Sequence, residues 1–394
     1  MKNNLFLFFC FLIAGCSSKV SQPESAEIVP YNGSDGSSLS TFIRSIEVVK
    51  PDHQQSITIG TFCVVRQEGD CFYIGDISGS KLIYRFDRQG HFLNSIGKTG
   101  RAPGEYLQLD DFYIDPDTDE LYVLSNPDGR LCRYRKNGEF IDRRNIPDRT
   151  GSFTKLGTDF WLYEGFNNGK YPERLLRVDS SLQIVGKYLP SDTKSLEPGI
   201  GPVFVSAPDE AYLFNAFESV VYRIMPDTVV PYLQFDYGPY NIPESYWKSE
   251  DCMQAFMDLN QKGFIYISAF MQNDDYILTE HTQQDALENY YICGVKERHR
   301  GKWNWSRQRV DEKGMIAAGP DSGKEADYPD WYARKLKGFT QDGKLMVFLL
   351  GYELVYLTPN DKQLIKNPEL LENADPEMDM FIFLCTLKQP KQMR

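Results

Sequence analysis

The sequence predicts an all-β protein folded as a six-bladed β-propeller, and three observations support that prediction. Tyrosine and phenylalanine, which favour strands, number 24 and 25 among the 394 residues. The 30 glycines and 22 prolines indicate many turns. A unit of short apolar strands recurs six times at a spacing of roughly 40 to 60 residues, which is typical of propeller blades.

The repeat is clearest in its first two copies, residues 70–93 and 119–141. Each copy has an acidic turn residue, a short apolar strand, a turn containing glycine and a second strand, followed by Gly-x-Phe. Weaker copies begin at Asp159, Ala211, Tyr276 and Lys344.

Each unit offers about four short strands, enough for one antiparallel sheet. A single sheet cannot cover both of its own faces, whereas sheets arranged radially around a channel cover one another. The apolar strand at residues 41–49 precedes the first unit and the one at residues 380–387 follows the last, so we expect these two to pair and close the ring. Two β-sandwich domains are the alternative, which the continuing repeat disfavours.

Two short helical insertions are also predicted. Residues 243–260 place Trp247, Cys252, Phe256 and Met257 at helix-like spacing, and residues 328–337 indicate a second helix. These helices would either cap one mouth of the channel or fill a gap beside it.

The N-terminus has the pattern of a secretion signal, with Lys2 followed by an apolar run that is too short to span a bilayer. The run ends Leu-Ile-Ala-Gly and then Cys16, which resembles the lipobox of bacterial lipoproteins. That resemblance implies cleavage after residue 15 and a lipid attached to the Cys16 sulfur, giving stable membrane anchoring. An ordinary signal peptide with a chance cysteine is the alternative.

The following segment is rich in Ser, Gly, Pro and Glu and is too polar to bury itself. We therefore predict a signal peptide at 1–15, a lipid-anchored flexible tether at 16–40 and the propeller at 41–388. No later run is long enough for a transmembrane helix. The expected location is the cell envelope, anchored in the outer membrane and facing either the periplasm or the exterior.

The composition excludes some classes of protein. A net charge of -12 argues against nucleic-acid binding, and 41% apolar with 25% charged residues is typical of a folded globular protein. Export permits disulfides, and Cys63 and Cys71 face each other if they share a hairpin. Buried free thiols are the preferred alternative.

Residues 90–113 carry a more specific resemblance. Gly100, Pro103, Gly104, Glu105 and Tyr106 resemble the inter-blade signature of the six-bladed β-propeller lipoproteins of Bacteroidetes, which are related to NHL-repeat propellers. The residues at 101 and 102 depart from it, because a glycine is common there. The resemblance implies the architecture and the location, but no reaction.

The chain has few candidates for a metal site. Its four histidines form no zinc pattern. Asp115, Asp117 and Asp119 begin like a calcium loop, but Glu120 and Asn126 occupy positions that require glycine and glutamate. A hairpin turn is the preferred interpretation of this motif, and calcium is the only cofactor kept as an alternative.

The candidate ligand-binding residues lie in the connection from the first unit to the second: Arg101, Glu105, Asp110 and Asp111. Arginine binds carboxylates through two contacts, and acids hold sugar hydroxyls or a cation. The alternative, which we prefer, is a tight turn in which the arginine pairs with a neighbouring acid. Exposed tryptophans at 303 and 305 would stack on sugars, but their alternation favours one face of a buried strand.

No catalytic residue is predicted. The sequence therefore favours a non-enzymatic binding module for a glycan, a peptide or a protein, attached to the membrane through its lipid. A propeller hydrolase or lyase using a cation in the channel is the first alternative, supported by fold analogy alone. A docking platform within an envelope complex is the second.

Overall fold

The structure, a computed structural model, contains six sheets within the residues that it describes, five of them with four antiparallel strands and one with a fifth strand added in parallel. These residues are 25–34, 38–52, 57, 59–60, 62–164, 170–190, 202–207, 209–216, 218–247, 251–259, 261–285, 288–310, 332 and 335–390.

Strands are numbered in chain order, and blades are numbered by the chain order of their innermost strands. Two strands precede the first blade: β1 (Glu27–Pro30) and β2 (Ile43–Val49). Blade 1 contains β3 (Cys63–Glu68), β4 (Cys71–Asp76), β5 (Ile83–Asp87) and β6 (Phe92–Ile96). Blade 2 contains β7 (Asp111–Ile114), β8 (Glu120–Ser125), β9 (Arg130–Arg135) and β10 (Phe140–Asn145). Blade 3 contains β11 (Ser152–Leu156), β12 (Asp159–Tyr163), β13 (Glu173–Val178) and β14 (Ile184–Pro190).

The remaining blades follow the same plan. Blade 4 contains β15 (Phe204–Ser206), β16 (Ala211–Asn215), β17 (Val220–Met225) and β18 (Thr228–Asp236). Blade 5 contains β19 (Lys262–Gln272), β20 (Tyr276–Asp285), β21 (Asn289–Glu297) and β22 (Asn304–Val310). Blade 6 contains β23 (Leu336–Phe339), β24 (Leu345–Leu350), β25 (Met380–Leu387) and, as its outermost strand, β2.

Short helices occupy several connections. The α-helices are α1 (Glu244–Trp247), α2 (Cys252–Leu259) and α3 (Pro359–Leu364). The 3₁₀ helices are Leu39–Phe42, Gly238–Tyr240, Gly351–Tyr356 and Pro368–Leu371.

The first strand of each blade lies beside the first strands of neighbouring blades, so the sheets form a ring around a central channel. Because every blade is an antiparallel meander, the hairpins that join its first to second and third to fourth strands lie on one face, here called the lower face. The connections between blades lie on the opposite, upper face. The predicted six-bladed β-propeller is confirmed.

The core lies between adjacent blades. Between blades 1 and 2, for example, Tyr73 and Ile83 pack against Phe112, Leu121 and Tyr134, all of them buried. Middle strands are covered on both sides, which explains why their sequences are continuously apolar instead of alternating.

Pairing of the chain ends closes the ring, as the sequence predicts. Strand β2 runs antiparallel to β25, with Ile43 opposite Leu387 and Val49 opposite Ile382. The final blade therefore takes three strands from the C-terminal part of the chain and its outermost strand from the N-terminal part.

The polar segment before the propeller differs from its prediction as a flexible tether from 16 to 40. Strand β1 pairs in parallel with β18 as a fifth strand of blade 4, and Val29 is completely buried there. The Tyr31 ring then packs on Trp305 with centroids 5.2 Å apart, and Ser34 Oγ donates to the Trp305 carbonyl at 3.1 Å. A few apolar side chains thus dock a segment whose average composition is polar. The predicted signal peptide and Cys16 lie outside the described residues.

The first predicted helical insertion, between blades 4 and 5, is confirmed by α1 and α2. The second, at 328–337, lies largely outside the described residues, and at its end Leu336 begins strand β23 instead. Cys63 lies opposite Asp76 and Cys71 opposite Glu68, so the two cysteines are not bonded and both are free thiols. None of the described helices is long and apolar enough to cross a membrane.

Candidate functional site

The predicted signature turn, residues 97–110 on the upper face, is held together by Glu105. Its carboxylate accepts a hydrogen bond from the Ala102 amide at 2.9 Å and pairs with Lys98 Nζ at 2.9 Å. The hydrogen bond from Lys98 lowers the pKa of Glu105. A Cβ atom at Gly100, where φ is +154°, would collide with this carboxylate, which explains the glycine. Glu105 therefore has a structural role in the turn.

Asp111, at the start of β7, joins three blades. It is completely buried, and Arg66 Nη2 of blade 1 donates to its Oδ1 at 2.8 Å. From blade 3, Ser152 Oγ and the Phe153 amide donate to its Oδ2 at 2.7 and 3.2 Å.

The remaining two predicted residues have separate surroundings. Asp110 accepts hydrogen bonds from the Asn126 amide at 2.7 Å and from Gln108 Nε2 at 3.2 Å, and burial raises its pKa to about 6. Arg101 is exposed. Glu105, Asp110 and Asp111 thus accept hydrogen bonds from different groups, the Arg101 amide being among the donors to Glu105, and ligand binding by the four residues stays a prediction.

A buried polar network lies between blades 4 and 5. His281 Nδ1 contacts Tyr237 Oη at 2.7 Å, and its Nε2 contacts Thr279 Oγ1 at 2.8 Å. Burial lowers the pKa of His281 to about 3, so the ring is neutral. Trp305 is buried beside it and stacks on Trp303, which confirms the buried-strand interpretation of that tryptophan.

The candidate calcium loop forms the hairpin between β7 and β8. Asp115 is buried, accepts the Asp117 amide at 3.0 Å and pairs with Lys155 Nζ at 2.5 Å. A cation at this carboxylate would have to displace the lysine. Among the described residues, no three potential metal ligands form a cluster.

A groove between blades 2 and 3 opens on the lower face, opposite the predicted site. Its cavity has a volume of about 590 Å³. It is lined by Tyr122, Arg133, Arg144, Lys155, Thr158, Phe160, Ser180 and Ser181. Because these residues run from the innermost strand of blade 3 to the outermost strand of blade 2, the groove extends radially for roughly 14 Å, three inter-strand spacings.

Three cationic side chains face this groove, while the carboxylates that fix them lie outside its lining. Asp142 contacts Arg133 at 2.8 Å and Arg144 at 3.4 Å. The buried Asp115 orients Lys155, as described above. The cations are therefore held in place before any ligand arrives, and each can direct donors into the cavity.

The other lining groups are aromatic rings and hydroxyls. The rings of Tyr122 and Phe160 meet edge to face with centroids 5.1 Å apart. Ser180 and Ser181 lie in the turn between β13 and β14, and Arg144 Nη1 donates to the Ser180 carbonyl across the groove. The cavity thus combines an apolar floor, cationic donors and hydroxyls, a combination suited to a small polar ligand.

The fold defines a six-bladed β-propeller with a polar inter-blade groove, and comparisons with known proteins agree with the fold. The model of a domain of unknown function, DUF4934, matches residues 27–384, so the chain belongs to that family. The chain is similar to the crystal structure of a protein of Bacteroides fragilis named as exported, at 17% identity and a TM-score of 0.72, covering 92% of this chain and 100% of that one. That likeness shows the fold.

A second solved structure, a member of the DUF4221 family from Bacteroides vulgatus, is 12% identical with a TM-score of 0.49, covering 88% of this chain and 99% of that one. No curated protein matches the chain. The likeness to NHL-repeat propellers stays a prediction.

Proposed function

We propose that this protein is a lipid-anchored binding protein of the cell envelope and that the groove between blades 2 and 3 binds a saccharide without chemical turnover. The observation that carries the proposal is the lining of the groove, in which oriented cations and hydroxyls surround an apolar floor.

Size and shape favour a small ligand over a protein partner. Protein partners bind broad surfaces, whereas a cavity of about 590 Å³ is in the range of small-molecule sites. A saccharide has hydroxyls that donate and accept hydrogen bonds, together with apolar ring faces. Arg133 and Arg144 supply donors, the serine and threonine hydroxyls supply both kinds of partner, and Tyr122 with Phe160 supply apolar surface.

Two observations support export and anchoring. The Bacteroides fragilis protein with the similar fold is named as exported. The Cys16 motif supports attachment to lipid, and the proposed membrane is the outer one. Residues 16–26 would connect the anchor to β1 at the outer edge of blade 4 and hold the propeller within about 35 to 40 Å of the membrane surface.

The proposal is tested by calorimetric titration of the full-length protein in detergent with a panel of neutral and acidic mono- to trisaccharides and short peptides. Adjacent residues of β10 supply a matched pair of variants, because Arg144 faces blade 3 while Arg143 Nη1 reaches the Ala102 carbonyl on the blade 1 side. Arg144→Ala should weaken saccharide binding at least about tenfold, since a charged hydrogen bond contributes about 1.5–3 kcal/mol. Arg143→Ala should bind like the wild type.

Three outcomes contradict the proposal. They are binding of peptides but of no saccharide, equal weakening by both arginine variants, and accumulation of cleaved product during the titration.

A further inference from the structure

We infer that the groove selects an acidic saccharide and binds the carboxylate of a uronic acid residue. This inference rests on the proposed function, since it specifies the ligand of the same groove.

The first argument is the sign of the charges that face the cavity. The chain has a net charge of -12, yet the groove lining contains three cations and no carboxylate. The neighbouring acids Glu120, Asp142 and Asp115 contact these cations from outside the lining. A ligand in the cavity therefore meets donors first, and an anionic group satisfies them better than a neutral one.

The second argument is the number of charges. Three cations and three acids form the local network, so the network as a whole is neutral. A group with a single negative charge can join it at moderate electrostatic cost, whereas a doubly charged phosphate would crowd three existing carboxylates. The three cations of the lining, together with the three acids that contact them, thus favour a ligand group with a single negative charge.

The third argument is geometry. A guanidinium group is a planar fork with five N–H donors, and it matches the two coplanar oxygens of a carboxylate. Arg133 and Arg144 both contact Asp142, so their guanidinium groups lie close together on adjacent strands of blade 2, while Lys155 faces them from blade 3. A carboxylate placed between the blades would contact cations on both sides.

The remaining lining fits the rest of a uronic acid. Thr158, Ser180 and Ser181 are exposed hydroxyls on the blade 3 turns. They can exchange hydrogen bonds with ring hydroxyls, and the radial length of the groove accommodates more than one sugar ring. The observations therefore favour a short acidic oligosaccharide over a free carboxylic acid.

The test compares a trisaccharide that carries one uronic acid residue with the methyl ester of the same compound, which keeps the size and the hydroxyls but removes the single charge. Calorimetry on the full-length protein should give at least about tenfold tighter binding of the acid than of the ester. That preference should decrease as salt is added, because Coulombic attraction is screened.

Two variants separate charge recognition from general binding. Arg144→Gln should reduce the ratio of acid to ester affinity several-fold, while Ser181→Ala should weaken both ligands and leave the ratio unchanged. Thermal unfolding of each variant verifies that the propeller stays folded.

Equal binding of acid and ester would overturn the carboxylate inference and leave saccharide binding intact. Tighter binding of a sulfated trisaccharide than of the uronate would also overturn it, whereas failure of all saccharides would overturn the proposed function itself.

Discussion

The contact that most directly tests the architecture is the carboxylate of Asp111, which joins blades 1, 2 and 3. The informative change is Asp111→Asn, because it preserves size and shape. In the native protein, both carboxylate oxygens accept hydrogen bonds. Oδ1 accepts from Arg66 and from the Phe112 amide at 2.8 Å each, and Oδ2 accepts from Ser152 and Phe153.

An asparagine has only one oxygen, so its NH₂ group must face one of these two pairs of donors in either orientation. The substitution also removes the negative partner of Arg66. Breaking a buried ion pair costs about 3–5 kcal/mol. Because the Arg66 side chain is 24% exposed and keeps access to water, we expect the lower end, a loss of about 3 kcal/mol in the free energy of unfolding.

The assay is equilibrium unfolding in urea, followed by tryptophan fluorescence and by circular dichroism. Asp70→Asn is the matched control, because the Asp70 side chain is 87% exposed and lies 3.5 Å from its arginine partner. The control should change stability by less than about 0.5 kcal/mol. A loss below about 1 kcal/mol for Asp111→Asn would refute the argument that this carboxylate holds blades together.

Three further predictions concern the N-terminal strand, the buried histidine and the lipid anchor. Val29→Ala should lower the free energy of unfolding in urea by about 2 kcal/mol, because the side chain is completely buried. Ile28→Ala is the control and should have little effect, because that side chain is 61% exposed. Equal effects of the two changes would contradict the docking of β1. Burial lowers the pKa of His281 to about 3. Below about pH 6.5 the unfolded chain therefore binds a proton that the folded protein does not. The free energy of unfolding should consequently decrease as the pH falls toward 3. His281→Gln should reduce that decrease, and an unchanged pH dependence of urea unfolding would exclude this histidine as its source. Cys16→Ser should abolish labelling with radioactive palmitate and release the protein from the membrane fraction, and persistent labelling would argue against the lipid anchor.

The repeat and the ring closure were predictable because each blade is a local unit. Its strands follow one another along the chain, so apolar runs and glycine turns mark it directly in the sequence. The pairing of Ile43 with Leu387 was also predictable, since two apolar strands remained outside the repeats, one at each end.

The boundary of the N-terminal tether was not predictable from average composition. Val29 and Tyr31 belong to a run of only four apolar residues in a polar stretch, and their burial depends on the free outer edge of blade 4 and on Trp305 of blade 5. Those partners come from distant parts of the chain, and no local pattern identifies them.

The candidate ligand residues were predicted in the connection from the first unit to the second, which lies on the upper face, whereas the groove opens on the lower one. Its lining comes from five strands and two turns of two blades, and no motif spans them. One signal was present, since Arg130, Arg133, Arg135, Arg143 and Arg144 are concentrated within fifteen residues of an acidic chain. Sequence alone does not say which of these arginines share a face.

The sequence by itself determined the class of fold, the number of blades and the strands that close the ring, because hydrophobic periodicity and turn chemistry act between near neighbours. The tertiary structure alone decided which side chains meet between blades. It assigned Asp111 to an inter-blade contact and placed Arg144 and Lys155 on opposite sides of one groove. Such contacts depend on the packing of whole sheets against each other, which brings together residues that are far apart along the chain.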